Sequence, residues 1–133
     1  MIRVVTLNLR ADANRWPERF PLIVEQLTAL NPDVIALQEV RLKISQHELL
    51  CTALNKRSNK ALYTAHICVD WYEPNILANA ILSRLSVHEH ERIELPEGYR
   101  TAQRIAITLG SQTINIANTH LHHKPYRDET IRL

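Results

Sequence analysis

A short apolar run that ends in an amide and a carboxylate constrains the fold of this chain most. Residues 34–37 read Val-Ile-Ala-Leu, follow the turn signal Asn-Pro-Asp and lead into Gln38 and Glu39. A run of this length after a turn signal predicts a strand that is buried on both faces, inside a sheet covered by helices. Ligands of such sheets bind at the carboxyl ends of the strands. From this stretch alone, Glu39 could equally be a solvated residue where the strand leaves the core.

The first forty residues predict a strand, a helix and the strand at 34–37. Residues 2–9 are β-branched and apolar and predict the first strand, with Asn8 near its end. Apolar residues at helical spacing predict a helix over at least residues 22–29, and Pro17 and Pro21 leave its start open. A strand–helix–strand unit has a right-handed crossover and parallel strands, which end at the same edge of the sheet. We therefore expect Asn8 and Glu39 to lie side by side.

The remaining sequence predicts a second helix and further strands. Ser45 and Glu48 match a capping box at the start of that helix, on which His47 would be exposed. Strands are predicted at residues 62–69 and 78–87, followed by an exposed edge strand at 88–95. Residues 102–109 and 113–119 predict a hairpin across Gly110, in which Arg104 faces away from its apolar neighbours. A loop is predicted at 70–75, a turn at 96–99, and the opening turns of a helix at 128–133.

Composition narrows the possible classes of protein. The 133 residues, 45% of them hydrophobic, predict one globular domain over residues 1–133. Two glycines are too few for a glycine-rich phosphate loop, and a net charge of +2 does not suit a protein that holds nucleic acid by charge alone. No apolar stretch approaches the roughly 20 residues of a membrane span. Cys51 and Cys68 form no CxxC pair and there is no signal segment at Met1, so we expect reduced thiols and a cytoplasmic location.

Four short motifs occur in an order and spacing that point to one enzyme family. They are Thr6-Leu7-Asn8, Leu37-Gln38-Glu39-Val40, Asn79-Ala80-Ile81-Leu82-Ser83-Arg84 and Asn118-Thr119-His120-Leu121. With these motifs the chain resembles, from Met1 to about Arg132, the endonuclease/exonuclease/phosphatase family of DNase I-like metal-dependent hydrolases. The family includes nucleases, inositol polyphosphate 5-phosphatases and neutral sphingomyelinases. The resemblance implies an α/β fold with a mixed β-sheet and helices on one face, like half of a DNase I-like four-layer α/β/β/α sandwich.

The resemblance also implies roles for individual residues. Glu39 corresponds to the main ligand of a divalent cation, Mg²⁺ with Mn²⁺ as the alternative, and Asn8 corresponds to the amide that helps to hold the metal and the phosphate. His120 corresponds to a histidine that contacts the scissile phosphate and assists departure of the leaving group. Arg104 corresponds to a phosphate-contacting arginine found in part of the family. These residue types suit the chemistry, because Mg²⁺ prefers oxygen ligands and can offset charge on a phosphoryl oxygen.

Two motifs of the family pattern are missing from this sequence. The pattern continues with Gly-Asp-x-Asn and ends with Asp-His, which orient the attacking water and complete the site. None of the four aspartates follows a glycine or precedes a histidine. Because family domains are about twice as long, the chain corresponds to the N-terminal half of one. We expect the second sheet and the remaining catalytic residues to come from the other half.

The expected function is therefore divalent-metal-dependent hydrolysis of a phosphoester in a nucleic acid, a phospholipid or a small molecule. The alternative is a truncated or degenerate copy that binds metal or a phosphorylated partner without turnover. A lone half would expose an apolar sheet face, so we also expect self-association or a C-terminal partner half.

The other histidines suggest alternative metal sites, for which the sequence gives weaker support. His88 and His90 are two residues apart in a predicted strand, where solvated histidines are expected rather than a metal pair. The run His120-Leu121-His122-His123 would bind zinc only with further ligands, but the sequence shows no second cluster of ligands, and both cysteines are far away in sequence. We expect His122 and His123 to lie at the rim of the phosphate site.

Overall fold

The computed structural model describes residues 1–69, 77–95 and 100–121. Its elements are β1 (Val4–Asn8), α1 (Trp16–Leu30), β2 (Val34–Arg41), α2 (Gln46–Arg57), β3 (Thr64–Val69), β4 (Leu77–Ser83), β5 (Val87–Glu94), β6 (Thr101–Leu109) and β7 (Gln112–Thr119). The loop predicted at 70–75, the turn at 96–99, the helix at 128–133, and His122 and His123 lie outside the described residues.

The strands form two sheets. The first, which we call the mixed sheet, has the order β1-β2-β4-β3, with β1 parallel to β2 and β4 antiparallel to both of its neighbours. The second, the antiparallel sheet, has the order β5-β6-β7. The predicted α/β class is confirmed. The expectation that the second sheet comes from an absent half is wrong, because three of its strands are built by this chain.

The mixed sheet is covered on both faces. On one face, α1 and α2 pack against β2 and β4 through buried residues that include Val24, Leu27, Leu50, Ile35 and Leu82. On the other face, Val34 and Ile81 of the mixed sheet meet Ile105 and Ile107 of the antiparallel sheet. The apolar face that a lone half was expected to expose is thus partly covered by strands of the same chain. β2 is the doubly buried strand predicted from its apolar run.

The two helices begin differently from the sequence prediction. α1 begins at Trp16, with Pro17 in its first turn and Pro21 inside the helix. The predicted capping box of α2 is wrong. Ser45 has a left-handed backbone and makes no side-chain cap bond, because it also ends a 3-10 turn, Leu42–Ile44, to which its N–H donates. His47, expected to be exposed, is buried.

The strand predicted at residues 78–87 divides between the two sheets. β4 ends at Ser83, and Arg84 then turns away from the sheet to the end of α1. There its guanidinium bonds to Asn31 and to the Asp33 carboxylate, and it lies over the Tyr63 ring at 5.3 Å from the centroid. These contacts tie the end of β4 to the end of α1 and to the start of β2. They lie at the end of the mixed sheet where β2 begins, whereas Asn8 and Glu39 lie at the end where β1 and β2 finish.

Within the described part of the chain, no helix is long and apolar enough to cross a membrane.

Candidate functional site

Asn8 and Glu39 meet at the carboxyl ends of β1 and β2. The parallel strands pair with Asn8 opposite Gln38. Asn8 Nδ2 donates a hydrogen bond to Glu39 Oε1 at 3.0 Å, and Asn8 Oδ1 accepts the backbone N–H of Arg10 at 2.8 Å. The predicted juxtaposition is confirmed. The amide oxygen thus faces Arg10 and the amide nitrogen faces Glu39, so Asn8 holds the carboxylate in place.

A β-bulge turns the Glu39 side chain toward Asn8. The pairing of β2 with β4 shifts between Leu37 and Val40, and Glu39 has a φ of 51°. Simple alternation along a strand would send Gln38 and Glu39 to opposite faces. Instead both lie on the side of the antiparallel sheet, and Val40 returns to the core under the helices. Bulges occur next to active sites, where they redirect a side chain in this way.

His120 reaches the same cluster just beyond the end of β7, in the other sheet. Its Nε2 lies 3.5 Å from Glu39 Oε1, and the two side chains are 20% and 28% exposed. Across the ring, Arg100 Nη1 lies 3.4 Å from His120 Nδ1. Because an arginine can only donate, this contact favours the tautomer of His120 in which Nδ1 accepts and Nε2 carries the proton, facing Glu39.

A pair of amide side chains, Asn118 and Gln38, joins the two sheets next to this cluster. Asn118 is 4% exposed, and its Nδ2 donates to the carbonyls of Leu37 at 2.9 Å and Ala80 at 3.1 Å. Its Oδ1 accepts from Gln38 Nε2 at 2.7 Å. A buried amide with these bonds fixes the position of its strand, two residues before His120. Gln38 and Asn118 both belong to the four motifs, but the spacing of the motifs does not predict that they form a contact between the two sheets.

Arg104 does not join the cluster. Alternation along β6 turns Ile105 and Ile107 inward and places Arg104 on the outer face of the antiparallel sheet. There it donates to Glu91 at 2.9 Å and to Glu89 at 3.0 Å. This position gives no support to a phosphate contact by Arg104. The arginine that the structure places beside His120 is Arg100, which the sequence patterns did not single out.

His88 and His90 are exposed, as predicted, and each also contacts another side chain. Because of a bulge between Val87 and Glu89, the side chains of His88 and His90 point in different directions. His88 Nδ1 lies 3.3 Å from Thr108 Oγ1, whereas His90 packs edge-on against His66 with ring centroids 5.4 Å apart. Among residues 1–69, 77–95 and 100–121, no three or more His, Cys, Asp or Glu side chains form a group that could hold a metal ion.

An open groove of about 470 Å³ runs beside the cluster, between the edge of the mixed sheet and β7. Its lining includes Val4, Thr6, Gln38, Ile116, Asn118 and His120. Mg²⁺ in proteins is bound by one or two carboxylates and otherwise by water and substrate oxygens. Glu39 alone therefore fits the needs of such an ion, with Asn8 holding the carboxylate in place.

Solved structures of about twice this length share the fold. An endonuclease/exonuclease/phosphatase family protein from Leptotrichia buccalis C-1013-b matches with a TM-score of 0.78 and 17% identity, over 92% of this chain and 54% of that one. The human Nocturnin catalytic domain matches with a TM-score of 0.74 and 22% identity, over 92% and 51%. ANGEL2, a 2',3'-cyclic phosphatase, matches with a TM-score of 0.71 and 18% identity, over 95% and 43%. The chain thus spans about half of the length of these structures, and the likeness shows the fold.

Comparison with curated protein sequences found no significant match. Comparison with the sequence profiles of protein families matched the Endonuclease/Exonuclease/phosphatase family over residues 5–133. The match covers nearly the whole chain and includes all four motifs, and the fold agrees with it. The chain belongs to the endonuclease/exonuclease/phosphatase family.

Proposed function

We propose that this chain supplies the metal-binding and phosphate-binding side of a divalent-metal-dependent phosphoester hydrolase. The observation that supports the proposal most is the meeting of Glu39, Asn8 and His120, contributed by three strand ends from two sheets. Glu39 Oε1 and His120 Nε2 lie 3.5 Å apart beside an open groove, where a carboxylate and a histidine N–H can act on a cation and on a phosphate together.

Each residue of the cluster has a part in the proposed reaction. Glu39 holds the cation, Mg²⁺ with Mn²⁺ as the alternative, and Asn8 keeps the carboxylate in place. The bound cation would offset negative charge on a phosphoryl oxygen. His120 donates from Nε2 to a phosphate oxygen or to the leaving group, and Arg100 keeps Nδ1 as the acceptor. We leave Arg104 out of this set because its guanidinium is bonded to two glutamates on the outer face.

In this proposal, the residues that activate the attacking water are not supplied by this chain. The Gly-Asp-x-Asn and Asp-His motifs do not occur in the sequence, and the chain spans about half of the structures that it matches. A C-terminal partner half, or a second copy of the chain, would cover the groove and complete the site. The substrate class stays a phosphoester of nucleic acid, phospholipid or a small molecule, and the cytoplasmic location stays a prediction.

A second candidate is a copy without turnover that binds a divalent cation or a phosphorylated partner. The missing motifs favour it, because they are the ones expected to orient the attacking water. The two candidates share the cluster at Glu39 and differ only in catalysis.

Calorimetric titration of the 133-residue chain with Mn²⁺ and Mg²⁺ tests the shared part. We expect Glu39→Gln to weaken cation binding by at least about tenfold, the lower end of the loss found for residues that merely support a metal ligand. Glu25→Gln on the exposed face of α1 is the matched control and should bind like the parent chain. A parent chain that binds neither ion, or a Glu39→Gln variant that binds both normally, would contradict the proposal.

Hydrolysis assays separate the two candidates. Bis(p-nitrophenyl) phosphate, p-nitrophenyl phosphate and single-stranded DNA are offered to the same three proteins with Mg²⁺. Turnover by the parent chain and the Glu25→Gln control, lost in Glu39→Gln, supports the hydrolase. Cation binding without turnover supports the second candidate, and turnover that survives Glu39→Gln belongs to another site.

A further inference from the structure

Gln46, the first residue of α2, is a fully buried polar side chain close to the candidate site. Its exposure is 0%, and both ends of its amide are used. Oε1 accepts the backbone N–H of Arg41 at 2.8 Å, and Nε2 donates to the carbonyl of Ala11 at 2.7 Å. A buried amide is tolerated only when it is bonded in this way, so these two backbone groups define where Gln46 lies.

The two backbone groups flank the residues of the candidate site. Arg41 comes two residues after Glu39, and Ala11 comes three residues after Asn8. The N–H of Ala11 donates to the Glu39 carbonyl at 3.0 Å. The Gln46 amide therefore closes a ring of hydrogen bonds that passes from β2, through Glu39, to the loop that follows β1.

The ring encloses a backbone conformation that Glu39 would not adopt by itself. A residue with a side chain is strained at a φ of 51°, and such a conformation persists only where the surroundings impose it. We propose that Gln46 is a positioning residue that holds the Glu39 bulge, and with it the direction of the Glu39 carboxylate toward Asn8 and His120. This inference depends on the proposed function in one respect only, namely the identity of what the Glu39 carboxylate binds.

α2 contains a matched control for this role. Asn55, near the other end of the helix, bridges the backbone in the same manner: its Nδ2 donates to the Tyr63 carbonyl at 3.0 Å and its Oδ1 accepts the Tyr63 N–H at 2.7 Å. No hydrogen bond among the described residues joins Asn55 or Tyr63 to Asn8, Glu39 or the loop after β1. Asn55→Leu thus removes an amide bridge from the same helix without touching the bulge.

The test compares Gln46→Met and Asn55→Leu with the parent chain, each at a temperature where circular dichroism shows it to be folded. We expect Gln46→Met to weaken Mn²⁺ binding about tenfold, as expected for loss of a residue that supports a metal ligand, and Asn55→Leu to leave it unchanged. Hydrogen exchange at the Ala11 amide gives a reading that needs no metal. That amide bonds to Glu39 and not to Gln46, so faster exchange in Gln46→Met reports a loosened bulge.

The outcomes separate this inference from the proposed function. Unchanged Mn²⁺ binding and unchanged Ala11 exchange in Gln46→Met overturn the positioning role while leaving the metal proposal intact. If the parent chain binds no Mn²⁺, the proposed function fails and the Ala11 exchange alone decides the role of Gln46. If Gln46→Met does not fold, Gln46→Glu, which keeps an acceptor for the Arg41 N–H, replaces it and is expected to change both readings in the same direction.

Discussion

At the scale of single residues, two histidines set the expected pH dependence of stability. Burial lowers the pKa of His47, with a smaller opposing effect of Glu48, and the Nδ1 of His47 has no hydrogen-bond partner among the described residues. Burial also lowers the pKa of His66, and the neighbouring His90 lowers it further. For both side chains, the folded chain therefore favours the neutral imidazole more than the unfolded chain does.

The free energy of unfolding should consequently fall as the pH drops below about 6.5, the ordinary pKa of histidine. Below about pH 6.5 these two histidines bind protons more readily in the unfolded chain than in the folded chain. Above that pH they are neutral in both states. His47→Leu should reduce the dependence between pH 7 and pH 5 in urea-unfolding titrations. His88→Gln, at an exposed position, is the control and should leave the slope unchanged. A parent chain equally stable at pH 7 and pH 5 would contradict this prediction.

Arg19 connects α1 to the loop that follows Asn8. Its guanidinium donates to the carbonyls of Leu9, Ala13 and Asn14 at 2.8 to 3.0 Å, and it lies over the Trp16 ring. Several bonds from one charged group to fixed carbonyls make this contact stronger than an exposed ion pair.

We therefore expect Arg19→Met to lower the free energy of unfolding by about 1.5–3 kcal/mol, the range for hydrogen bonds to a charged group. Arg15→Met is the comparison, because the Arg15 side chain is 80% exposed and its guanidinium bonds only to Glu18 among the described residues. Loss of such a surface pair costs about 0–1 kcal/mol. Equal losses in the two variants, measured by chemical denaturation, would show that the loop gains nothing from Arg19.

At the scale of elements, α1 carries a proline that works against the helix. Pro21 lies inside α1 and has no N–H to bond to the carbonyl four residues before it, whereas Pro17 lies in the first turn, where that N–H would have no partner. Pro21→Ala should raise the free energy of unfolding by about 1–2 kcal/mol, since the cost of an interior proline exceeds the entropy that it removes from the unfolded chain. Pro17→Ala should give no such gain. Thermal unfolding of both variants is the measurement, and a destabilised Pro21→Ala would show that this turn depends on the proline.

Periodic patterns predicted the elements better than their ends. The doubly buried β2, the interior of α1 and the hairpin across Gly110 follow from the order of apolar residues along the chain. The start of α2 depends instead on the 3-10 turn that Ser45 ends, and the end of β4 depends on groups far away in sequence. Arg84 leaves the strand because carbonyl and carboxylate groups at the end of α1 bind its guanidinium, and no local pattern contains that information.

In the candidate site as well, local patterns predicted some features, and features that depend on distant contacts could not be predicted. Parallel pairing of β1 and β2 predicted that Asn8 and Glu39 lie at the same end of the sheet, whereas the contact between their side chains also needs the bulge. The bulge could not be predicted, because the residue with the left-handed backbone is a glutamate and not a glycine. Arg100 and Gln46 could not be found either, since each acts through a contact that exists only after distant strands and helices have packed.

At the scale of the whole molecule, two strand edges border the groove. β1 lies at one edge of the mixed sheet and β7 at one edge of the antiparallel sheet, within the described residues. Val4 and Leu121 in the groove are 48% and 59% exposed. Open edges with apolar side chains favour association with another chain.

We expect the 133-residue chain to self-associate in sedimentation velocity runs at micromolar concentration. Val4→Lys should shift it toward the monomer, because the charge would lie in the groove. Leu62→Lys is the control, since Leu62 is 60% exposed but lies outside the groove. A parent chain that stays monomeric, or an equal effect of both lysines, would argue against the groove as the contact surface.

The left-handed backbone at Glu39 places stability and activity in competition. A side chain in this conformation costs about 1–2 kcal/mol, and glycine avoids that cost. Glu39→Gly should therefore unfold at a higher temperature than Glu39→Ala, although both remove the carboxylate. A library of this chain selected for stability alone should lose glutamate at position 39 in favour of glycine. A library selected for phosphoester hydrolysis in the completed enzyme should keep it.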